Sequence, residues 1–222
     1  MFGEAGNTDG FTVSGSRVLL SGDPSAQDCV IQPIGRGEAD FPQTEAAEIA
    51  RLTGRKDFLL ASFEVNDWNS DLTPWEADAV FGNRGFGRGA ENTLDFICGR
   101  VMPELGGRRF FLAGYSLAGL FALWAAYNTD AFAGAAGVSP SVWYPGWLEY
   151  ARARKVCAQK VYLSLGNREE KTRNPVMARV GNAIREQYEL LTVSKKLDWN
   201  EGNHFVDADK RLAKGVSWLI SD

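Results

Sequence analysis

Short runs of apolar residues alternate along the chain with segments in which apolar residues recur every three or four positions. The runs predict strands, and the periodic segments predict helices packed on a sheet. The predicted strands are residues 17–22, 29–34, 57–65, 108–113, 131–139, 160–165 and 191–197. The predicted helices are residues 44–52, with Thr44 as the cap, 91–105, a helix from the turn at 114–119 to residue 128, 174–188 and 207–220. This alternation is typical of an α/β fold, in which helices cover both faces of a mostly parallel central sheet.

Residues 66–89 interrupt the alternation. The segment carries several aromatic residues among glycines and shows no clear period. A connection of about two dozen residues is too long to be passive, and such loops often serve as lids or binding loops. An equally weighted alternative is that its aromatic side chains cover an edge of the sheet, and both interpretations can hold together. The chain is therefore predicted to be a single domain, residues 1–222, in which 66–89 is a candidate lid or binding loop.

One serine stands at a predicted strand-to-helix turn. The sequence there is Gly-Tyr-Ser-Leu-Ala-Gly, from Gly114 to Gly119. A serine on so sharp a corner has a strained backbone, and the residues two before and two after it must be small, as Gly114 and Ala118 are. The N-terminus of the next helix then points at the serine, so the Leu117 N–H can donate to an oxyanion. This context predicts that Ser116 is a catalytic nucleophile.

A serine hydroxyl needs a base to take its proton, and histidine is the usual one. The chain contains one histidine, His204, in the loop between the last predicted strand and the final predicted helix. That loop is expected at the same end of the sheet as Ser116, and serine before histidine is one established chain order for such a pair. We predict that His204 is the base, although a lone histidine at an arbitrary position is more often incidental.

The imidazole in turn needs a carboxylate that fixes its tautomer and stabilises its protonated form. The loop after the predicted strand between serine and histidine supplies two, Glu169 and Glu170. Glu169 lies three residues beyond the glycine that ends that strand and is the first choice, with Glu170 as the alternative acid. Asp198 and Asp207 are weaker candidates. Against all of these stands the interpretation that both glutamates belong to a solvated cluster with neighbouring arginine and lysine residues.

The oxyanion needs a second donor besides Leu117. In hydrolases with this arrangement it comes from the loop after the strand that precedes the first crossover helix, which here contains Gly35 and Arg36. We therefore predict an oxyanion hole made by the backbone N–H groups of Leu117, Arg36 and Gly35.

Several aromatic residues are candidates for the walls of a substrate pocket. Trp143 and Tyr144 leave a predicted central strand at its carboxyl end, which is where ligands bind in open parallel sheets. Trp68 lies in segment 66–89, and Tyr115 directly precedes the serine. The alternative is that these side chains are core aromatics beneath a loop.

Composition narrows the class of protein. The 222 residues are 45% hydrophobic and 23% charged, which suits one soluble globular domain. A net charge of −4 gives no basic surface, so no nucleic-acid partner is expected. Cys29, Cys98 and Cys157 form no Cys-x-x-Cys pair and are predicted to be buried free thiols. With one histidine in the chain, neither a metal site nor another cofactor is expected.

Targeting signals are not apparent in the sequence. The first ten residues lack the basic region and apolar core of a signal peptide, and no apolar run approaches the roughly 20 residues of a membrane helix. Free thiols suit a reducing compartment. We therefore expect a cytoplasmic protein with no membrane partner, and the sequence leaves its oligomeric state open.

Four motifs occur in an informative order: Gly-Tyr-Ser-Leu-Ala-Gly at 114–119, Val-Ser-Pro-Ser-Val-Trp at 138–143, Gly-Asn-Arg-Glu-Glu at 166–170, and Gly-Asn-His-Phe at 202–205. Together they resemble the esterase family of α/β-hydrolases that includes esterase D-like and enterochelin-esterase-like enzymes, over roughly Cys29 to the C-terminus. The resemblance implies a minimal α/β-hydrolase sheet and a serine esterase mechanism through Ser116 and His204, with Glu169 or Glu170 as the acid. Two departures are the missing His-Gly at residues 34–35 and an alanine where the family has a glycine after the serine. Some relatives work with a weak or missing acid, so a serine–histidine dyad is an alternative.

The expected function is hydrolysis of a small-molecule carboxylic ester with a small or an aromatic or apolar acyl group, through an acyl-enzyme. One alternative is an acyltransferase that uses the same site with an alcohol or thiol acceptor. The other is a catalytically idle hydrolase fold that serves as a binding module. Feruloyl-like, siderophore and simple acyl esters all remain open as substrates.

Overall fold

A computed structural model of the chain describes residues 10–221. The predicted absence of a signal peptide rests largely on residues 1–9, which lie outside the described residues. The strands are β1 (Gly10–Val13), β2 (Ser16–Gly22), β3 (Asp28–Ile34), β4 (Phe58–Glu64), β5 (Arg109–Tyr115), β6 (Gly134–Val138), β7 (Lys160–Gly166) and β8 (Ser194–Asn200). The helices are α1 (Phe41–Thr53), α2 (Trp68–Asp71), α3 (Ala90–Phe96), α4 (Met102–Leu105), α5 (Leu117–Asn128), α6 (Trp147–Arg152), α7 (Val180–Leu190) and α8 (Ala208–Ile220).

The described strands form one sheet in the order β1-β2-β4-β3-β5-β6-β7-β8. Strands β3 to β8 pair in parallel, whereas β1 pairs antiparallel with β2, and β2 antiparallel with β4. The predicted mostly parallel α/β sheet is confirmed. Because parallel strands end at the same edge, the loops after β3, β5, β6, β7 and β8 meet at the carboxyl edge of the sheet.

The sheet divides the core into two layers. Successive side chains of a strand point to opposite faces, so Phe110 and Leu112 of β5 join the cluster beneath α5, whereas Phe111 and Ala113 join the cluster beneath α8. A strand covered on both faces needs a continuous apolar run. That requirement explains why the central strands were easy to predict from the sequence.

Some element boundaries differ from the predictions. Helix α1 begins at Phe41 with Pro42 in its first turn, so Thr44 lies inside the helix and does not cap it. Strand β8 begins at Ser194, three residues later than predicted, because residues 180–190 form α7 and Leu191 packs into the core after it. Strand β1 and helices α2 and α6 were not predicted.

The helix predicted at 91–105 is interrupted by a π-helical turn at Ile97–Val101, between α3 and α4. The Met102 N–H donates to the Ile97 carbonyl, five residues back. Pro103 follows directly and has no N–H of its own. A wider turn at this point is consistent with a proline inside the helix, and such turns are commonly single insertions in α-helices.

The predicted burial of the three cysteines is only partly right. Cys29 is buried in β3, whereas Cys98 is half-buried and Cys157 is exposed. All three are free thiols. Burial raises the pKa of the Cys29 thiol to about 12, so this side chain is inert near neutral pH.

Segment 66–89 is attached to the loop that follows β6. The Trp75 indole N–H donates to the Pro145 carbonyl at 2.8 Å, and the Tyr144 hydroxyl donates to the Trp75 carbonyl at 2.5 Å. The Phe81 ring lies 6.0 Å from that of Trp143. The aromatic side chains of the segment therefore cover the β6 end of the sheet, and a role as a lid or binding loop stays a prediction. None of the helices formed within residues 10–221 has the length and apolarity needed to cross a membrane.

A polar cluster lies between α1 and the sheet. Gln32 donates through Nε2 to Glu45 Oε2 at 2.7 Å and to Ser62 Oγ at 3.0 Å, and all three residues are fully buried. Among the described residues, Glu45 Oε1 has no hydrogen-bond partner. Burial, only partly offset by the Gln32 hydrogen bond, raises the pKa of Glu45 to about 8. The carboxyl is therefore neutral at pH 6 in the folded protein, whereas it is ionised at that pH in the unfolded chain.

This cluster predicts a specific pH dependence of stability. Because the pKa of Glu45 is higher in the folded state, its contribution is fully present below the unfolded value and is lost as pH rises through about 8. We expect Glu45→Gln to leave the free energy of unfolding near the wild-type value at pH 5 and to raise it by roughly 3–5 kcal/mol at pH 9. Urea denaturation at both pH values measures the difference. Glu48→Gln on the same helix, where Glu48 pairs with Arg51, is the matched control and should show no such gain at high pH.

Candidate active site

Ser116 occupies the corner between β5 and α5. Its backbone has φ 60° and ψ −120°, a region that non-glycine residues enter at a cost, and its N–H donates to the Val138 carbonyl at 3.1 Å. A Cβ built on Gly114 would lie 2.2 Å from the Ala118 carbonyl oxygen. Glycine is therefore required at position 114, because any side chain there would collide with the first turn of α5.

Three side chains from the carboxyl edge of the sheet form a hydrogen-bonded chain. Ser116 Oγ lies 3.0 Å from His204 Nε2, and His204 Nδ1 lies 2.7 Å from Glu169 Oε2. The loops after β5, β7 and β8 each supply one of them. A carboxylate at Nδ1 favours the tautomer in which Nδ1 donates and the Nε2 lone pair faces the serine hydroxyl. The arrangement can therefore withdraw a proton from Ser116.

Glu169, not Glu170, lies against the imidazole. The Glu169 side chain is 5% exposed, and its Oε1 accepts from Ser139 Oγ and from the Gly166 N–H, both at 2.7 Å. Burial by itself raises the pKa of Glu169, but the hydrogen bonds from His204, Ser139 and Gly166 outweigh it and hold that pKa below its ordinary value. The carboxyl is therefore an anion at neutral pH.

The other candidate acids make contacts elsewhere. Glu170 faces Arg185 of α7 at 3.7 Å. Asp198 accepts from the Tyr162 hydroxyl and pairs with Lys196, and Asp207 pairs with Lys210, so neither contacts His204. The interpretation that both glutamates belong to one solvated cluster is wrong for Glu169, whose side chain is buried, whereas Glu170 is partly exposed.

Two residues of this site were not identified from the sequence. Ser139 follows β6 with φ 44° and donates to Glu169. Arg211 of α8 is 2% exposed and lies 3.1 Å from Glu169 Oε1. Ser139 stood inside one of the family-like motifs, and Arg211 interrupts an otherwise apolar helix face that includes Leu212 and Val216. An arginine on a buried face is a signal that could have been used, because a buried cation needs an anionic partner.

The predicted oxyanion donors differ in how they are engaged. Leu117 is the first residue of α5, so its N–H lies in the turn where the helix provides no acceptor. The Gly35 N–H donates to Glu38 Oε2 at 2.7 Å, and its predicted use as a donor is not available in this arrangement. The Arg36 guanidinium donates to Asn66 at 3.2 Å. The backbone N–H groups of Leu117 and Arg36 stay the predicted pair.

The predicted pocket residues divide into two groups. Tyr144 is 2% exposed and its hydroxyl is used by Trp75, so it is a packing residue of the loop and offers little surface to a ligand. The Tyr115 hydroxyl donates to the His204 carbonyl at 2.7 Å, and this bond holds the histidine loop. Trp143 and Trp68 are partly exposed at the carboxyl edge of the sheet and stay candidates for substrate contact.

A groove begins in the loop that contacts the Ser116 backbone. The Ser141 N–H donates to the Ser116 carbonyl at 3.0 Å, and the next residues, Val142 and Trp143, line a groove of about 340 Å³ that also includes Arg179. Phe205, directly after the histidine, is 87% exposed and its ring lies 5.4 Å from the imidazole. The sequence motif contained Phe205, but nothing in the motif indicated that its ring is exposed.

In the described part of the chain, no group of three or more His, Cys, Asp and Glu side chains is arranged to hold a metal ion.

Comparison with known proteins identifies the fold. The chain matches no protein-family model and no curated protein sequence. Among solved structures it is similar to an IroE-like serine hydrolase from Shewanella oneidensis, with 17% identity, a TM-score of 0.71, and coverage of 91% of this chain and 75% of the other. It is also similar to the siderophore hydrolase EstA from Aspergillus nidulans, with 21% identity, a TM-score of 0.69, and coverage of 93% and 90%. A third is the enterobactin esterase FES from Shigella flexneri, with 16% identity, a TM-score of 0.66, and coverage of 92% of this chain and 55% of that one.

These similarities establish the α/β-hydrolase fold for the chain, as the sequence predicted. At such low sequence identity they establish the fold alone, because one fold carries many unrelated activities. The activity has to be argued from the site itself.

Proposed function

We propose that this protein is a serine hydrolase of carboxylic esters that works through an acyl-enzyme. The observation that carries the proposal is the hydrogen-bonded chain from Ser116 through His204 to Glu169, with the serine on a strained strand-to-helix corner. A serine, a base and an orienting carboxylate in this geometry are the recurrent parts of acyl-transfer sites on unrelated folds. The esterases and hydrolases among the structural neighbours support the same reaction class.

The proposed reaction has two halves. His204 Nε2 takes the Ser116 proton as Oγ attacks the acyl carbon, and Glu169 stabilises the imidazolium that forms. The N–H groups of Leu117 and Arg36 hold the oxyanion, after which His204 returns the proton to the departing alcohol. A water molecule, deprotonated by the same histidine, then attacks the acyl-enzyme, and His204 returns that proton to Ser116 Oγ as the carboxylic acid leaves. Both halves use the same base, the same carboxylate and the same two oxyanion donors.

The surface near the serine favours an acyl or alcohol group with apolar or aromatic character. Trp143 lies in the loop after β6, whose Ser141 N–H contacts the Ser116 carbonyl, and the exposed Phe205 ring lies beside the imidazole. Two neighbours are described as acting on siderophores or on enterobactin. We propose small or aromatic acyl esters as the substrate class, with water as the acceptor.

A fluorophosphonate probe tests the proposal without knowledge of the substrate. The probe should label the purified protein, and peptide mapping by mass spectrometry should place the adduct on Ser116. Hydrolysis of p-nitrophenyl acetate and of a methyl ester of a phenolic acid should follow, and product analysis with added alcohol or thiol separates hydrolysis from acyl transfer. A well-folded protein that remains unlabelled would instead favour a binding module.

The proposed mechanism predicts a single rising limb in the pH profile. The base must be neutral to accept the proton, and histidine side chains ordinarily lose theirs near pH ~6–7. The pKa of Glu169 is held below its ordinary value, so this carboxylate is already ionised across that interval and adds no second limb. We expect kcat/KM for p-nitrophenyl acetate to rise between pH 5 and pH 8 and then level off. A flat profile in the chemical step would argue against His204 as the base.

A further inference from the structure

Arg211 is a buried cation at the centre of the candidate active site. Its Nη1 lies 3.1 Å from Glu169 Oε1, 3.3 Å from the Tyr115 hydroxyl and 3.4 Å from Ser139 Oγ. Its Nη2 donates to the Glu201 carbonyl at 2.6 Å. With 2% of the side chain exposed, the guanidinium contacts protein groups instead of bulk water.

These contacts join the two halves of the site. Glu169 is the acid of the site, and Glu201, whose carbonyl accepts from Arg211, precedes the base His204 by three residues. The Tyr115 hydroxyl, which also contacts Arg211, donates to the His204 carbonyl. The Arg211 guanidinium therefore attaches both the loop after β7, which carries Glu169, and the loop after β8, which carries His204, to helix α8. Arginine is suited to this role because its donors have a fixed, planar geometry.

The charge of Arg211 has a second consequence. A buried carboxylate without a counter-charge would bind a proton more readily, whether on its own oxygen or on the imidazole beside it. Within residues 10–221, the ionisable groups in contact with Glu169 are His204 and Arg211, and Tyr115 interacts with it electrostatically. Arg211 is the permanent cation among them. Glu169 and His204 can accept a proton from Ser116 only when Glu169 is ionised and His204 is neutral. The positive charge of Arg211 favours this protonation state, so the state persists to lower pH.

On the premise of the proposed function, we infer that Arg211 is a positioning residue: it orients Glu169 and His204 toward Ser116 and keeps the pair in its proton-accepting state. Arg211 does not touch the reacting atoms. It acts through the acid and through the backbone of the histidine loop.

The test is the second-order rate constant for fluorophosphonate labelling of Ser116, measured from pH 5 to pH 9. Thermal melts give the folded fraction of each variant, and the rate constant is divided by that fraction. Arg211→Gln removes both charge and fork, and Arg211→Lys keeps the charge alone. Arg55→Gln is the matched control, because Arg55 also contacts α8, at the Ile220 carbonyl, and pairs with the buried Asp28. Asp28 begins β3, so this pair lies at the opposite edge of the sheet from Ser116.

We expect Arg211→Gln to label about 10²-fold more slowly, because a misplacement of about 1 Å costs that much, and to move the midpoint of the rate profile to higher pH by about one unit. Arg211→Lys should keep the wild-type midpoint and lose about tenfold in rate, since one ammonium cannot replace both contacts of the fork. Arg55→Gln should lower the melting temperature without changing rate or midpoint.

Two results overturn the inference. A folded Arg211→Gln variant with wild-type rate and midpoint would mean that Arg211 only stabilises the fold. If that variant does not fold, a wild-type rate in Arg211→Lys would overturn the positioning role, because lysine keeps the charge but cannot reproduce the contacts of the fork. Failure of the proposed function is a different outcome, because the wild-type protein itself would then remain unlabelled at Ser116.

Discussion

Replacing Ser116 with alanine is expected to reduce ester hydrolysis by about 10⁴-fold or more, because the variant has no atom to form the acyl-enzyme. The residual rate should reflect only binding and the oxyanion donors, which act without a nucleophile. Initial rates with p-nitrophenyl acetate at pH 8 measure the loss, and mass spectrometry of the intact protein should show that the acetylated species is missing.

The substitution is small and its structural consequences are expected to be minor. Ser116 Oγ contacts His204, while the corner itself is held by backbone bonds, including the Ser116 N–H to the Val138 carbonyl. Alanine keeps those bonds, so the melting temperature should change little. Ser25→Ala, at an exposed serine before β3, is the control and should retain full activity. Substantial acetylation of the Ser116→Ala variant would place the nucleophile elsewhere.

The apolar pattern of the sequence predicted the central strands of the sheet better than its edge strands. A central parallel strand such as β5 is buried on both faces and needs an unbroken apolar run, so its position is visible in the sequence. Among the described strands, β8 pairs with β7 alone and has mostly exposed or half-buried residues. The apolar residues that suggested an earlier start lie at and directly after the end of α7, where Leu191 packs into the core. Strand β1 at the other edge was not predicted, and its residues are likewise exposed or half-buried.

In the candidate site, too, the sequence identified the residue that depends on its neighbours in the chain but not the contacts between distant loops. Ser116 was identified because a strained corner restricts its own neighbours, Gly114 and Ala118, to small residues. Glu169 and Glu170 could not be separated by sequence, because what separates them is contact with groups from other loops. Ser139 is 30 residues away from Glu169 in the chain, and Arg211 is 42 residues away. No local pattern encodes such distances, whereas the packed sheet brings these loops to one edge.

Replacing Glu169 with glutamine is expected to lower kcat/KM by about 10²–10⁴-fold. The amide is nearly isosteric, but it carries no charge to stabilise the imidazolium and can donate to His204 Nδ1, which favours the tautomer that directs a proton toward Ser116. Since the pKa of Glu169 is held low, the wild-type carboxylate is charged throughout the active range. The loss should therefore persist from pH 6 to pH 9 and should not be recovered by raising the pH.

Glu170→Gln provides the matched control for this prediction. It makes the same chemical change one residue along the same loop, where the side chain faces Arg185 and not the imidazole. Its kcat/KM should stay close to the wild-type value. If Glu169→Gln instead kept wild-type activity while both variants remained folded, Ser116 and His204 would be working as a dyad. The 2.7 Å contact between His204 and Glu169 would then serve only to hold the loop, and Arg211 would serve only as the counter-ion of a structural carboxylate.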